Sequence, residues 1–167
     1  EFEVAVTEVV TVLNKNGESA AAFSVTTDDF EKLSDFRGAI YDAAGKETER
    51  IKRSNLLRSE YSGQHTLADD NVNFLYNPEQ KEYPYTVEYS FKMTRKKLTQ
   101  SYTSFIPLPA TETSVMSASY KLITPKGMEV LTQEYNPCWT TTTDENAKTK
   151  TTERVWKVAG LRGMKED

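Results

Sequence analysis

The stretch Pro84-Tyr85-Thr86-Val87-Glu88-Tyr89-Ser90-Phe91-Lys92-Met93 decides the fold. Tyr85, Val87, Tyr89, Phe91 and Met93 fall on one side at a period of two. Thr86, Glu88, Ser90 and Lys92 fall on the other. That alternation is the pattern of a strand with one face in a core and the other in water. It places Tyr85, Val87, Tyr89 and Phe91 inside the protein rather than around a ligand.

Similar patterns lie on both sides. Residues 2–13 predict a strand whose phase breaks at Val9-Val10, as a bulge or a change of sheet would require. Asn14-Lys15-Asn16-Gly17 reads as a turn, with 19–26 returning as the second arm of a hairpin. Residues 27–33 predict a short helical turn capped by Thr27 or Asp28, with Glu31 completing a capping box if Asp28 is the cap. Residues 36–41 and 47–51 form a second predicted hairpin about Gly45. Residues 54–58 predict a brief turn or helix, 61–70 a polar loop, and 72–76 a short strand. Beyond the opening stretch, strands are predicted over 98–108, 115–123 and 128–135. A last hairpin is predicted from 140–144 and 148–158. The sum is an all-β fold, a β-sandwich of about ten mostly antiparallel strands with at most a short helical turn. A closed barrel is the alternative. Residues 1–158 read as a single module and 159–167 as a charged C-terminal tail or truncated linker.

The chain has 167 residues, enough for one self-sufficient core. Its 21 basic and 25 acidic residues give a net charge of −4, which argues against a nucleic-acid surface. The basic runs Arg50-Ile51-Lys52-Arg53 and Arg95-Lys96-Lys97 are short and read as solvated turns or edges. A single cysteine, Cys138, leaves no internal disulfide to form, and no apolar run is long enough to span a membrane.

Candidate chemistry is sparse. His65 is the one histidine, in a polar loop far in sequence from Cys138, and a Cys–His couple needs a third group to hold the histidine. A surface loop histidine and a small buried thiol are the simpler readings, so no catalytic residue is assigned. Asp28-Asp29 and Asp69-Asp70 lack the alternating acidic pattern of a calcium loop, so no metal ligand is assigned. No glycine-rich phosphate cradle occurs, and no cofactor is expected. Trp139, Tyr135 and Tyr61 stand beside irregular segments where a ring can meet a sugar, and they are the candidate ligand-stacking residues. Rings that cover the end of a core are the competing reading.

Five motifs in order carry a family resemblance: residues 9–17, 36–46, 51–56, 83–89 and 115–125. The second contains Arg37-Gly38-Ala39-Ile40-Tyr41-Asp42 and the fourth Tyr83-Pro84-Tyr85-Thr86-Val87-Glu88-Tyr89. In these the chain resembles a bacterial family of domains of unknown function. Members lie at the N-terminus of exported proteins with a transglutaminase-like, cysteine-protease-type domain downstream. The resemblance implies a non-catalytic β-sandwich module in the periplasm or at the cell surface. It would pack against, or position substrate for, that downstream domain, its expected partner. The catalytic Cys, His and Asp would belong to the later domain, so Cys138 inherits no role. Trp156 to Leu161 resembles a strand leading into further β-structure, with the parent domain's final strands missing or supplied by a neighbour. A carbohydrate- or peptide-binding sandwich acting alone is the alternative, with a peptide or glycan as its partner.

Overall fold

The structure is a computed structural model and describes residues 2–60, 71–80, 82–96, 104–108 and 113–163. These residues form ten strands in three sheets, with every pairing antiparallel, and two 3-10 segments. The all-β expectation holds. The chain divides into two compact units, Glu1–Ser101 and Tyr102–Asp167.

The first unit holds β1 (Phe2–Val12), β2 (Phe23–Thr27), β3 (Glu31–Tyr41), β4 (Glu47–Lys52), β5 (Leu57–Glu60), β6 (Val72–Tyr76) and β7 (Tyr85–Arg95). A four-stranded sheet runs β1-β7-β3-β4 and a three-stranded sheet β2-β6-β5. The stretch that opened the sequence analysis is β7, and it pairs on both sides. Tyr85, Val87, Tyr89 and Met93 are buried, while Phe91 is half-buried at the margin of the core. Phe23, from the smaller sheet, meets this face. Its ring lies 4.7 Å from Phe36, 5.3 Å from Tyr89 and 5.2 Å from Phe91. The two sheets therefore share one core as a sandwich. Each fully buried side chain such as Val87 or Ile40 adds about 1.5–3 kcal/mol of burial.

Several local expectations change. β1 keeps one unbroken register against β7 from Phe2 to Val12, without a bulge. The apparent phase break arises because Glu8 occupies an inward position between Val6 and Val10, opposite Tyr89, while Val9 faces out. The predicted 19–26 hairpin arm is instead a 3-10 segment, Lys15–Ala21, followed by β2, which crosses to the other sheet and pairs with β6. Buried Ala21 and Phe23 draw the chain across the core.

No helical turn forms over 27–33. The Asp28 carboxylate accepts from the Phe30 N–H at 2.7 Å in a tight turn, and β3 starts at Glu31. Leu33 and Phe36 are three residues apart, a helical spacing. A register shift between Leu33 and Asp35 lets both point inward from a strand. The β3–β4 hairpin forms as predicted, with Gly45 at φ +78°. The turn predicted within 54–58 is reduced to a 3-10 segment, Arg53–Asn55, and β5 follows it.

The second unit holds β8 (Val115–Pro125), β9 (Thr140–Asn146) and β10 (Thr151–Leu161), in the order β8-β10-β9. The β9–β10 hairpin matches the sequence reading, and β10 extends through Leu161, into the segment expected to be tail. The strand expected over 128–135 does not form. Val130 and Leu131 break the period-two alternation, and β10 takes the place beside β8. Residues 104–108, the described part of the strand expected over 98–108, are also irregular.

Candidate functional site

The sheet of the second unit presents Ala118, Tyr120 and Leu122 from β8 and Arg154, Trp156 and Val158 from β10 on one face, because alternate residues share a side. Tyr120 stands opposite Trp156 in the register, with ring centroids 5.6 Å apart. Phe105 stacks on Tyr120 at 6.0 Å and meets Trp139 at 5.8 Å. Four rings from four segments thus form one connected cluster. Trp156 is buried, and Phe105, Tyr120 and Trp139 are half-buried.

Irregular residues 128–139 are tied to this sheet by polar contacts. The Arg154 guanidinium donates to the Val130 carbonyl at 3.4 Å. The Trp156 indole N–H donates to Glu134 Oε1 at 2.9 Å, and the Trp139 indole N–H to Glu134 Oε2 at 3.3 Å. One carboxylate is therefore gripped at both oxygens by neutral donors. Glu134 stays exposed, and no lysine or arginine pairs with it among the described residues. Each carboxylate oxygen has a second lone pair, so Glu134 retains capacity to accept from a ligand hydroxyl.

The structure brings Trp139 into this cluster. Tyr135, adjacent to Glu134, is 72% exposed. Tyr61 and His65, and with them the expectation of Tyr61 as a stacking residue, lie outside the described residues. Cys138 is a free thiol but an exposed one, not the buried thiol expected, because the irregular residues around it stay at the surface. Among the described residues no group of three or more His, Cys, Asp or Glu is arranged to hold a metal ion. No helix of the described residues is long and apolar enough to cross a membrane. Glu134 escaped the sequence reading because its importance lies in two indoles, one five and one twenty-two residues away. Periodicity within a single strand carries no signal of that kind.

A concavity of about 310 Å³ lies in the first unit beside the β3–β4 turn, lined by Asp42, Thr48, Gln80, Glu82, Tyr83 and Tyr85 among others. Its Asp42 is committed to its own turn, with Oδ1 accepting from the N–H groups of Ala44 and Lys46, both at 2.9 Å. The Tyr83 hydroxyl donates to Glu18. That bond to a carboxylate, with burial and Glu18's charge, pushes its pKa up to about 12. These groups brace the end of the sandwich.

The model of the DUF3857 family, a domain of unknown function with solved structures, matches residues 1–163. No curated protein matches the chain. A solved chain from Parabacteroides distasonis, described as a "putative protease", shares the fold with a TM-score of 0.80 at 9% identity. The match covers 99% of this chain and 33% of that one, so the chain spans a third of that protein's length.

Proposed function

The chain belongs to the DUF3857 family, and from that premise we propose that it is a non-catalytic accessory module of a larger exported bacterial protein. Its role is to pack against a downstream transglutaminase-like domain or to position substrate for it. The observation that carries this reading is the solved likeness. Almost the whole of this chain corresponds to one third of a chain described as a "putative protease", leaving two thirds of that chain for other domains. Exposed apolar side chains in the second unit are consistent with a docking role. Met116 is 90% and Leu131 92% exposed, large apolar side chains that a docked partner would cover.

The test begins with the reading frame beyond Asp167, which is expected to encode a domain with a catalytic Cys, His and Asp. In the full-length protein, deleting residues 1–163 should raise KM for a protein substrate about tenfold and leave kcat on a small ester within about twofold. A stop codon directly after Asp167, or hydrolysis of the ester by the isolated chain, would overturn the reading.

A further inference from the structure

We propose that Trp139 and Glu134 form a saccharide-binding subsite, taking a neutral pyranose with its apolar face on the indole and its ring hydroxyls on the carboxylate. Four observations carry this. Trp139 is half-buried, so part of the indole meets solvent, and the Phe105 ring meets it at a tilt of 59° rather than stacking on it. Its N–H donates to Glu134, which places the carboxylate at the ring's edge rather than over its face. The Trp156 N–H holds the other oxygen and fixes the carboxylate before any ligand arrives. No lysine or arginine among the described residues neutralises Glu134, so its acceptors are not consumed by an ion pair.

The shape of this pair selects the ligand class. A pyranose lying flat on a ring directs its equatorial hydroxyls outward, parallel to the platform, where an acceptor at the ring's edge meets them. C–H groups on its underside contact the π face. A lone ammonium group centred on the indole would gain the cation–π attraction but would sit away from the carboxylate at the edge. The geometry therefore favours a sugar over a lysine side chain. This subsite does not depend on a downstream domain and can hold if the accessory-module reading falls.

The experiment titrates the 167-residue chain with cellohexaose, xylohexaose, mannohexaose and chitohexaose, followed by tryptophan emission and calorimetry, with N-acetyl-lysine amide as the cationic probe. Both tryptophans lie in the cluster, so their emission reports the site directly. At least one oligosaccharide is expected to bind saturably with Kd below about 10 mM. Trp139→Ala is expected to weaken it about tenfold or more, and Trp139→Phe to restore part of that loss. Glu134→Gln keeps one acceptor oxygen but loses the charge, and is expected to weaken binding by several-fold. Circular dichroism on each variant separates loss of binding from loss of fold. The proposal is overturned if no saccharide of the panel binds, if binding survives Trp139→Ala unchanged in a folded variant, or if the lysine amide saturates the site and the sugars do not.

Discussion

The hydroxyl of Tyr89, in the middle of β7, donates to the carbonyl of Ala21 at 2.7 Å, with both residues buried. The bond ties the central strand of the larger sheet to the segment from which the chain crosses to the smaller one. Burial raises the phenol's pKa, so it stays protonated and remains a donor across the accessible pH range. Tyr89→Phe keeps the ring contact with Phe23 and removes only the donor. The Ala21 carbonyl is then left buried without it, and stability is expected to fall by about 1–3 kcal/mol. Urea denaturation followed by circular dichroism measures this, and a change smaller than about 0.5 kcal/mol would mean that water replaces the phenol.

Tyr85, two positions earlier on the same face, predicts the opposite sign. Its hydroxyl is buried and finds no hydrogen-bond partner among the described residues. Burial, reinforced by the charge of Glu18, raises its pKa. A buried hydroxyl left without a partner costs free energy that a phenyl ring does not. Tyr85→Phe is therefore expected to leave stability unchanged or raise it by about 1 kcal/mol in the same denaturation experiment. A loss comparable to that of Tyr89→Phe would reveal a partner for the hydroxyl in solution.

Gly38 sits in β3 where a Cβ would meet the Glu88 carbonyl oxygen at 3.1 Å, Tyr89 Cδ1 at 3.1 Å and Ile51 Cβ at 3.2 Å. Two of these three neighbours belong to β7 and one to β4, and all are held by pairing or burial. Gly38→Ala therefore has to push β7 or Ile51 aside, and a loss of about 1–3 kcal/mol is expected. Thermal unfolding of this variant beside Gly45→Ala separates crowding from backbone strain. Gly45 has φ +78° with open space around it, so its cost of about 1 kcal/mol comes from conformation alone.

The core was legible where one strand carries its own signal. β7 alternates cleanly because one of its faces packs on the core while β1 and β3 pair along its edges, and the β3–β4 and β9–β10 hairpins carry polar turns between strand patterns. Legibility failed where pairing is non-local. Nothing near β2 announces that its partner is β6, about fifty residues on, and Asp28 with Glu31 reads as a helix cap although Asp28 closes the tight turn that leads into β3. The candidate site divides in the same way. Trp139 and Tyr135 could be proposed from their place beside irregular sequence. Glu134 and Trp156 emerge only when the strap over 128–139 is seen lying on the sheet.

Glu8 is the residue that disturbed the reading of β1, and it makes stability depend on pH. It occupies an inward register position between Val6 and Val10, and desolvation raises its carboxyl pKa above the ordinary 4.5 although the residue as a whole remains exposed. Below the ordinary value the folded and unfolded chains both carry the proton, and Glu8 costs nothing. As pH rises through the ordinary value toward the raised folded one, the unfolded chain releases its proton first. The native state binds more protons in that window, so stability falls with rising pH. The loss is complete above the folded value. Glu8→Gln is expected to match the parent at about pH 3 and exceed it at about pH 7. Glu8→Val, which also suits a strand facing apolar neighbours, should gain up to about 1 kcal/mol at neutral pH. Urea midpoints of the parent and both variants across this range check the sign. A parent whose advantage over Glu8→Gln grows with pH would show that the carboxylate has a stabilising partner and that burial is not what governs it.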